Sequence, residues 1–110
     1  MESITLQLPG TDDFFTEEAY KVLRTNIQFC GQSIKTIAFT SCSENEGKTT
    51  VTLSIAKSFA ELQKRVLVID ADMRKSVMAG RNTDAKTPNG LSEVINGLAS
   101  LNDCLYRTQY

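Results

Sequence analysis

The sequence predicts an α/β fold, a strand–helix–strand unit belonging to a mainly parallel sheet flanked by helices. Three observations predict it. The stretches "IKTIAFTS", 34–41, and "RVLVIDAD", 65–72, have strand composition, rich in β-branched and apolar residues. Between them "GKTTVTLSIAKSFAELQK", 47–64, sets Val51, Ile55, Phe59 and Leu62 at helical spacing. The run Val66-Leu67-Val68-Ile69 is unbroken, the pattern of a strand buried on both faces, and such strands belong to parallel sheets. Short connections join the three, so the crossover is expected to be right-handed.

Taken in chain order, residues 1–16 are expected as a flexible N-terminal arm, since the opening is polar and broken by Pro9-Gly10. Thr16 is the expected N-cap of a helix beginning at Glu17, with Glu17 and Glu18 favourable at its positive end. Ala19, Leu23 and Ile27 line one face of that helix, which runs to about Phe29. After the strand–helix–strand unit, "MRKSVMAGRNTDAKTPNG" reads mostly as loop. "LSEVINGLASLNDCL" then predicts a helix, or two short ones divided near Asn96-Gly97.

Composition narrows the function classes. At 110 residues the chain has room for one small domain, and 41% hydrophobic with 23% charged residues is an ordinary core-forming mixture. A net charge of −1 supplies no basic footprint, so nucleic acid is not an expected partner. No apolar run has the length of a membrane helix, and "MESITLQLPG" lacks the pattern of a signal peptide. Cys30, Cys42 and Cys104 are odd in number and form no CxxC pair, which suits reduced thiols in a cytoplasmic protein. With no histidine, chemistry must run on carboxylates, lysine or a bound ion.

The residues "CSENEGKTT", 42–50, carry the clearest chemistry. A phosphate-binding loop reads G-x-x-x-x-G-K-[ST] between a strand and a helix. Gly47, Lys48 and Thr49 fit it, and Cys42 stands where the first glycine is usual. Gly47 lets the backbone approach phosphate without a Cβ. Lys48 would neutralise the terminal phosphates, Thr49 would offer its hydroxyl to Mg²⁺, and the first-turn amides would face the anion. Glu44 and Glu46 are compatible if their carboxylates point to solvent while the N–H groups of Ser43, Glu44, Asn45 and Glu46 point inward. The unit is therefore a P-loop βαβ unit.

Asp70 and Asp72 close the second apolar run, two residues apart and so on one face of an extended chain. Ligands of open α/β sheets bind at the carboxyl edge of the strands. One acid there can hold Mg²⁺ directly or through water, and the other can accept a proton from an attacking hydroxyl. Arg74 is placed to meet phosphate or an acid.

"SENEGKTT" together with "VLVIDADMR" resembles the bacterial tyrosine kinases of capsular and exopolysaccharide synthesis, which are built on P-loop ATPase machinery. The family's loop typically ends Pro-Gly-Glu-Gly-Lys-Ser/Thr-Thr. Glu46, Gly47, Lys48, Thr49 and Thr50 match it, while Glu44 and Asn45 replace Pro-Gly. Asp70, Asp72 and Arg74 match its hydrophobic-Asp-x-Asp-x-Arg motif, and "NGLSEVINGLASLNDCLYRT" is similar to its Gly-Leu-Ser-x-x-Leu-x-Gly segment. "EEAYKVLRTNIQF" looks like the family's first helix, which implies ring-shaped homo-oligomer contacts through Glu18, Lys21 and Arg24, with Lys21 where arginine is usual.

The resemblance implies that 17–110 is the N-terminal part of a P-loop kinase domain, incomplete relative to the family. The family's later Asp-x-x-Pro strand and tyrosine cluster do not appear here, and Tyr106 and Tyr110 read as ordinary surface or core tyrosines. It implies ATP and Mg²⁺ as cofactors, held by residues 43–50 and Arg74, with Lys48, Asp70 and Asp72 catalytic and Thr49, Asp70 and Asp72 on the metal. It also implies a membrane adaptor whose cytoplasmic tail activates the kinase at the inner face of the membrane. Two other readings stand beside it. One is a partition or cell-division ATPase switch, whose extra loop lysine would fall at Ser43. The other is a truncated, non-catalytic module for nucleotide binding or oligomerisation.

Overall fold

The structure is a computed structural model that describes residues 1–8, 13–42, 47–72 and 89–110. Its elements are β1 (Glu2–Ser3), α1 (Phe14–Phe29), α2 (Lys48–Ala60), α3 (Leu91–Ile95), a 3₁₀ turn (Leu101–Cys104) and β2 (Tyr106–Arg107). They divide into two units, Leu8–Val68 and a second made of Met1–Gln7 with Ile69–Tyr110. Helices with parallel strands place the chain in the α/β class. Among the described residues no helix is long and apolar enough to cross a membrane.

The first unit is built on α1 against α2. The cap of α1 is Asp13, three residues before the expected Thr16: its Oδ1 accepts from the Phe15 N–H at 3.2 Å. Thr16 instead donates its hydroxyl to Asp13 Oδ2 at 3.2 Å. A carboxylate makes the stronger cap, and the helix starts where the better acceptor is. The inward stripe of α1 keeps Ile27 as expected, but its first two positions are shifted by one residue. Tyr20, Arg24 and Ile27 are half-buried, whereas Ala19 and Leu23 are exposed. Arg24 sets that rotation by donating through Nη1 to the Ser58 carbonyl at 2.7 Å and to Ser58 Oγ at 3.1 Å.

Helix α2 buries Leu53, Ser54, Ile55 and Ser58. Ile55 lies where the periodicity put it, Val51 and Phe59 are half-buried, and Leu62 is exposed in the turn that follows the helix. The α2 face is mixed because two serines meet α1 where an all-apolar stripe was expected.

The second unit ties the chain start to its end. β1 and β2 are parallel, with Glu2 opposite Tyr106 and Ser3 opposite Arg107, and the Ile4 N–H reaches the Arg107 carbonyl at 2.8 Å. The Gln109 amide continues the pattern as a side-chain surrogate of a strand. Its Nε2 donates to the Leu6 carbonyl at 2.6 Å and its Oε1 accepts from the Leu6 N–H at 3.2 Å. Leu6 is buried. Residues expected as a loose arm thus carry a strand and a core side chain.

Asn96-Gly97 divides the C-terminal helical stretch as expected, and the geometry says why. Gly97 is left-handed at φ +72°, the Leu98 N–H reaches the Glu93 carbonyl at 2.8 Å, and the Gly97 N–H reaches Val94 at 3.1 Å. That paired closure stops α3. At its start the Glu93 carboxylate accepts from the Gly90 N–H at 2.8 Å and the Ser92 hydroxyl at 2.9 Å. Those bonds, led by the Gly90 amide, hold the Glu93 carboxyl below its ordinary range. Tyr106 donates to the Asn89 carbonyl at 3.0 Å, and burial pushes its phenol above the usual range.

One expectation is not met within the described residues. Among the described residues neither 34–41 nor 65–72 carries strand pairing; β1 with β2 is the ladder that forms. Ile34, Ile37, Val66, Leu67 and Ile69 are exposed rather than buried on two faces. A central parallel strand has backbone groups to satisfy on both edges, and without neighbours its composition alone cannot bury it.

Candidate functional site

The phosphate-loop residues within the described structure are Gly47, Lys48, Thr49 and Thr50, consecutive at the N-terminus of α2. Gly47 is the N-cap and is left-handed, with φ +79° and ψ 14°. Among the described residues an added Cβ would meet nothing within 4 Å, so the requirement for glycine here is conformational, since side-chain-bearing residues avoid that region. Gly47 itself has no side chain to cap the helix. The first intrahelical bond runs from the Val51 N–H to the Gly47 carbonyl at 3.0 Å. Helical geometry leaves the Lys48 and Thr49 amides without intrahelical acceptors, and the helix dipole adds a partial positive charge. Lys48 is exposed and Thr49 half-buried. One turn on, Thr52 donates its hydroxyl to the Lys48 carbonyl at 2.7 Å.

This arrangement suits an anion: first-turn amides without intrahelical acceptors, a cation beside them and a cap residue with no side chain. It also suits magnesium bound alongside phosphate, because Thr49 offers a hydroxyl next to Lys48. Among the described residues no three acidic or thiol side chains cluster as a self-contained metal cage. A magnesium ion held mainly by phosphate and water needs none.

Ser43, Glu44, Asn45, Glu46 and Arg74 lie outside the described residues. Asp70 and Asp72 belong to the other unit. Asp70 is half-buried and Asp72 exposed, and the Asp72 N–H donates to Asp70 Oδ1 at 3.0 Å. That bond is an Asx turn: the first acid uses its side chain to bend the chain that carries the second.

The residues expected at subunit contacts separate. Glu18 and Lys21 form an ion pair at 3.3 Å on the surface of α1, while Arg24 turns inward onto α2. Sequence reasoning missed Ser58 as the acceptor for Arg24. The signal was present, since Ser54 and Ser58 fall four apart on the buried side of a helix otherwise lined by Leu53 and Ile55.

Comparison with known proteins bears on the same residues. A family model for the CobQ/CobB/MinD/ParA nucleotide binding domain matches residues 37–104, more than half of the chain. The chain is 44% identical over 93 residues to a tyrosine-protein kinase CpsD of Streptococcus agalactiae, covering 84% of this chain and 41% of that protein. It is 44% identical over 92 residues to the CpsD kinase of Streptococcus pneumoniae, covering 84% and 40%. Against the tyrosine-protein kinase YwqD of Bacillus subtilis the identity is 43% over 60 residues, 53% of this chain and 25% of that one. The chain therefore spans about two-fifths of the length of the CpsD relatives it matches. No solved structure matches it.

Proposed function

The chain belongs to the CobQ/CobB/MinD/ParA nucleotide-binding-domain family, and from that premise we propose that it is the ATP-binding part of a cytoplasmic protein tyrosine kinase. In this reading the kinase autophosphorylates and regulates capsular or exopolysaccharide synthesis. The observation that carries the proposal is left-handed Gly47 leading directly into Lys48 and Thr49 at the start of α2. The similarity to three named tyrosine kinases supports the kinase over other members of the family.

The roles follow from chemistry. The amides of 43–50 and the Lys48 ammonium bind the ATP phosphates, with Arg74 as a further cation. Thr49, Asp70 and Asp72 are the residues that would hold Mg²⁺, which when bound supplies charge neutralisation on the phosphates. One of the two aspartates accepts the proton of the incoming tyrosine hydroxyl. Most of the rate then comes from positioning and charge, as is general for phosphoryl transfer. The proposal includes the finer fold, with 34–41 and 65–72 as strands of a mainly parallel sheet completed by neighbouring strands, and 17–110 as the N-terminal part of the kinase domain. It also includes homo-oligomer contacts through α1 and attachment at the inner membrane face through an adaptor.

Lys48→Met is expected to weaken ATP binding roughly ten- to a hundred-fold, the scale of hydrogen bonds to a charged group. Titration with a fluorescent ATP analogue measures it, and an unchanged affinity overturns the site. Incubation with γ-labelled ATP and a full-length kinase partner sorts the activity. Label on tyrosine supports the kinase. Hydrolysis without phosphotyrosine points to a MinD/ParA-like switch, and binding without turnover to a non-catalytic module.

A further inference from the structure

Arg24 has one observed partner and one proposed above. Within the chain its Nη1 binds both oxygens of Ser58, tying α1 to α2 between residues 34 apart in sequence. The oligomer proposed above, on which this inference rests, uses the same residue between copies. The tie itself is incomplete: Arg24 Nε is buried and has no hydrogen-bond partner among the described residues, and neither has the buried Ser54 hydroxyl one turn before Ser58. A guanidinium offers Nε and an Nη as a planar fork that suits a carboxylate, and here only Nη1 is engaged on Ser58. A buried donor left unmatched raises the energy of the state that holds it. The intrachain position is thus held by one arm of a two-armed group.

We propose that Arg24 is a two-position element, bound to Ser58 in the single chain and released from it to an acceptor on a second copy during assembly. Ser58 then sets a threshold for assembly, because its two bonds must be given up before Arg24 can bridge copies. The same release loosens α1 from α2, the helix that carries Lys48 and Thr49. Assembly and the nucleotide-bearing helix are coupled through one side chain.

The two ends of this bond make the test, because the proposal assigns them opposite signs. Sedimentation equilibrium of the 110-residue chain over a wide concentration range measures self-association, with far-UV circular dichroism as the folding control. Ser58→Ala removes the hydroxyl arm of the tie and is expected to strengthen self-association about two- to ten-fold, the scale of one ordinary hydrogen bond. Arg24→Ala is expected to abolish it. A purely structural tie weakens assembly in both variants, and an interface independent of the tie leaves Ser58→Ala unchanged; either result overturns the proposal. If Arg24→Ala does not fold, the direction of the Ser58→Ala effect decides alone. Wild-type chain that stays monomeric throughout overturns the oligomer reading itself and the switch with it. Wild-type chain that assembles without responding to Ser58→Ala overturns the switch only.

Discussion

The helix pair α1–α2 and the two apolar runs 34–41 and 65–69 have opposite fates. Ile55 of α2 is 2% exposed, whereas Leu67 and Ile69 of the second run are 67% and 64% exposed. The difference lies in where each element finds its hydrogen bonds. A helix satisfies its backbone within itself and needs only one packed face. A strand with apolar residues on both faces needs a neighbour on each edge and a layer on each side. The helices can be organised by local residues such as Asp13 and by a single long-range partner such as Ser58. The runs depend on strands that the described residues do not supply.

The largest effect breaks the comparison directly. Ile55→Ala is expected to cost about 2–5 kcal/mol, the range for a large aliphatic side chain deleted from a packed site. Leu67→Ala, on the exposed run, is expected to stay within about 0.5 kcal/mol. Urea denaturation followed by circular dichroism compares the two. A Leu67→Ala loss as large as that of Ile55→Ala would mean that the run is buried after all, as the sequence alone suggests.

That result would also measure how far the sequence can be read. The turn at Asn96-Gly97, the core position of Ile55 and the helix opening at Gly47 were legible because each depends on residues within a turn or two of itself. The start of α1 was misplaced because Asp13 and Thr16 are both good caps, and the choice between them is energetic rather than categorical. In the α1 stripe Ile27 was placed correctly, and Ala19 and Leu23 were off by one because Arg24, polar by type, faces inward to meet Ser58. Pairing of residues 2–3 with 106–107 was not legible, since parallel partners a chain length apart leave no local periodicity. For the candidate site, the motif gave the Gly47–Thr50 order directly. Asp70 was read as a strand-end acid, and its bond to the Asp72 amide belongs to a turn.

A middle-sized effect sharpens the local side of the comparison. Gly47→Ala puts a Cβ on a left-handed residue, where the penalty is about 1–2 kcal/mol. No atom of the described residues lies within 4 Å of that Cβ, so the loss should be conformational. Gly47→Asn should therefore recover part of it, because asparagine tolerates the left-handed region better than alanine. Thermal unfolding of the three proteins orders them, with glycine highest, asparagine next and alanine lowest. Equal midpoints for asparagine and alanine would point to steric crowding instead.

The smallest effect concerns which residue begins α1. Asp13→Ala removes the acceptor of both the Phe15 amide and the Thr16 hydroxyl, and the loss expected is about 1 kcal/mol, typical of a deleted N-cap. Thr16→Ala removes only a donor to Asp13 and leaves the cap bond in place, so its effect should be smaller. The double variant should cost little more than Asp13→Ala, because the threonine contributes through the aspartate that is already gone. Salt should act on the Asp13 effect, since a carboxylate at a helix N-terminus also interacts with the helix dipole, and leave the Thr16 effect unchanged. If Thr16→Ala costs more than Asp13→Ala, the helix begins where its sequence pattern alone would start it, and the inward position of Arg24 has to be sought in α2 rather than in how α1 is anchored.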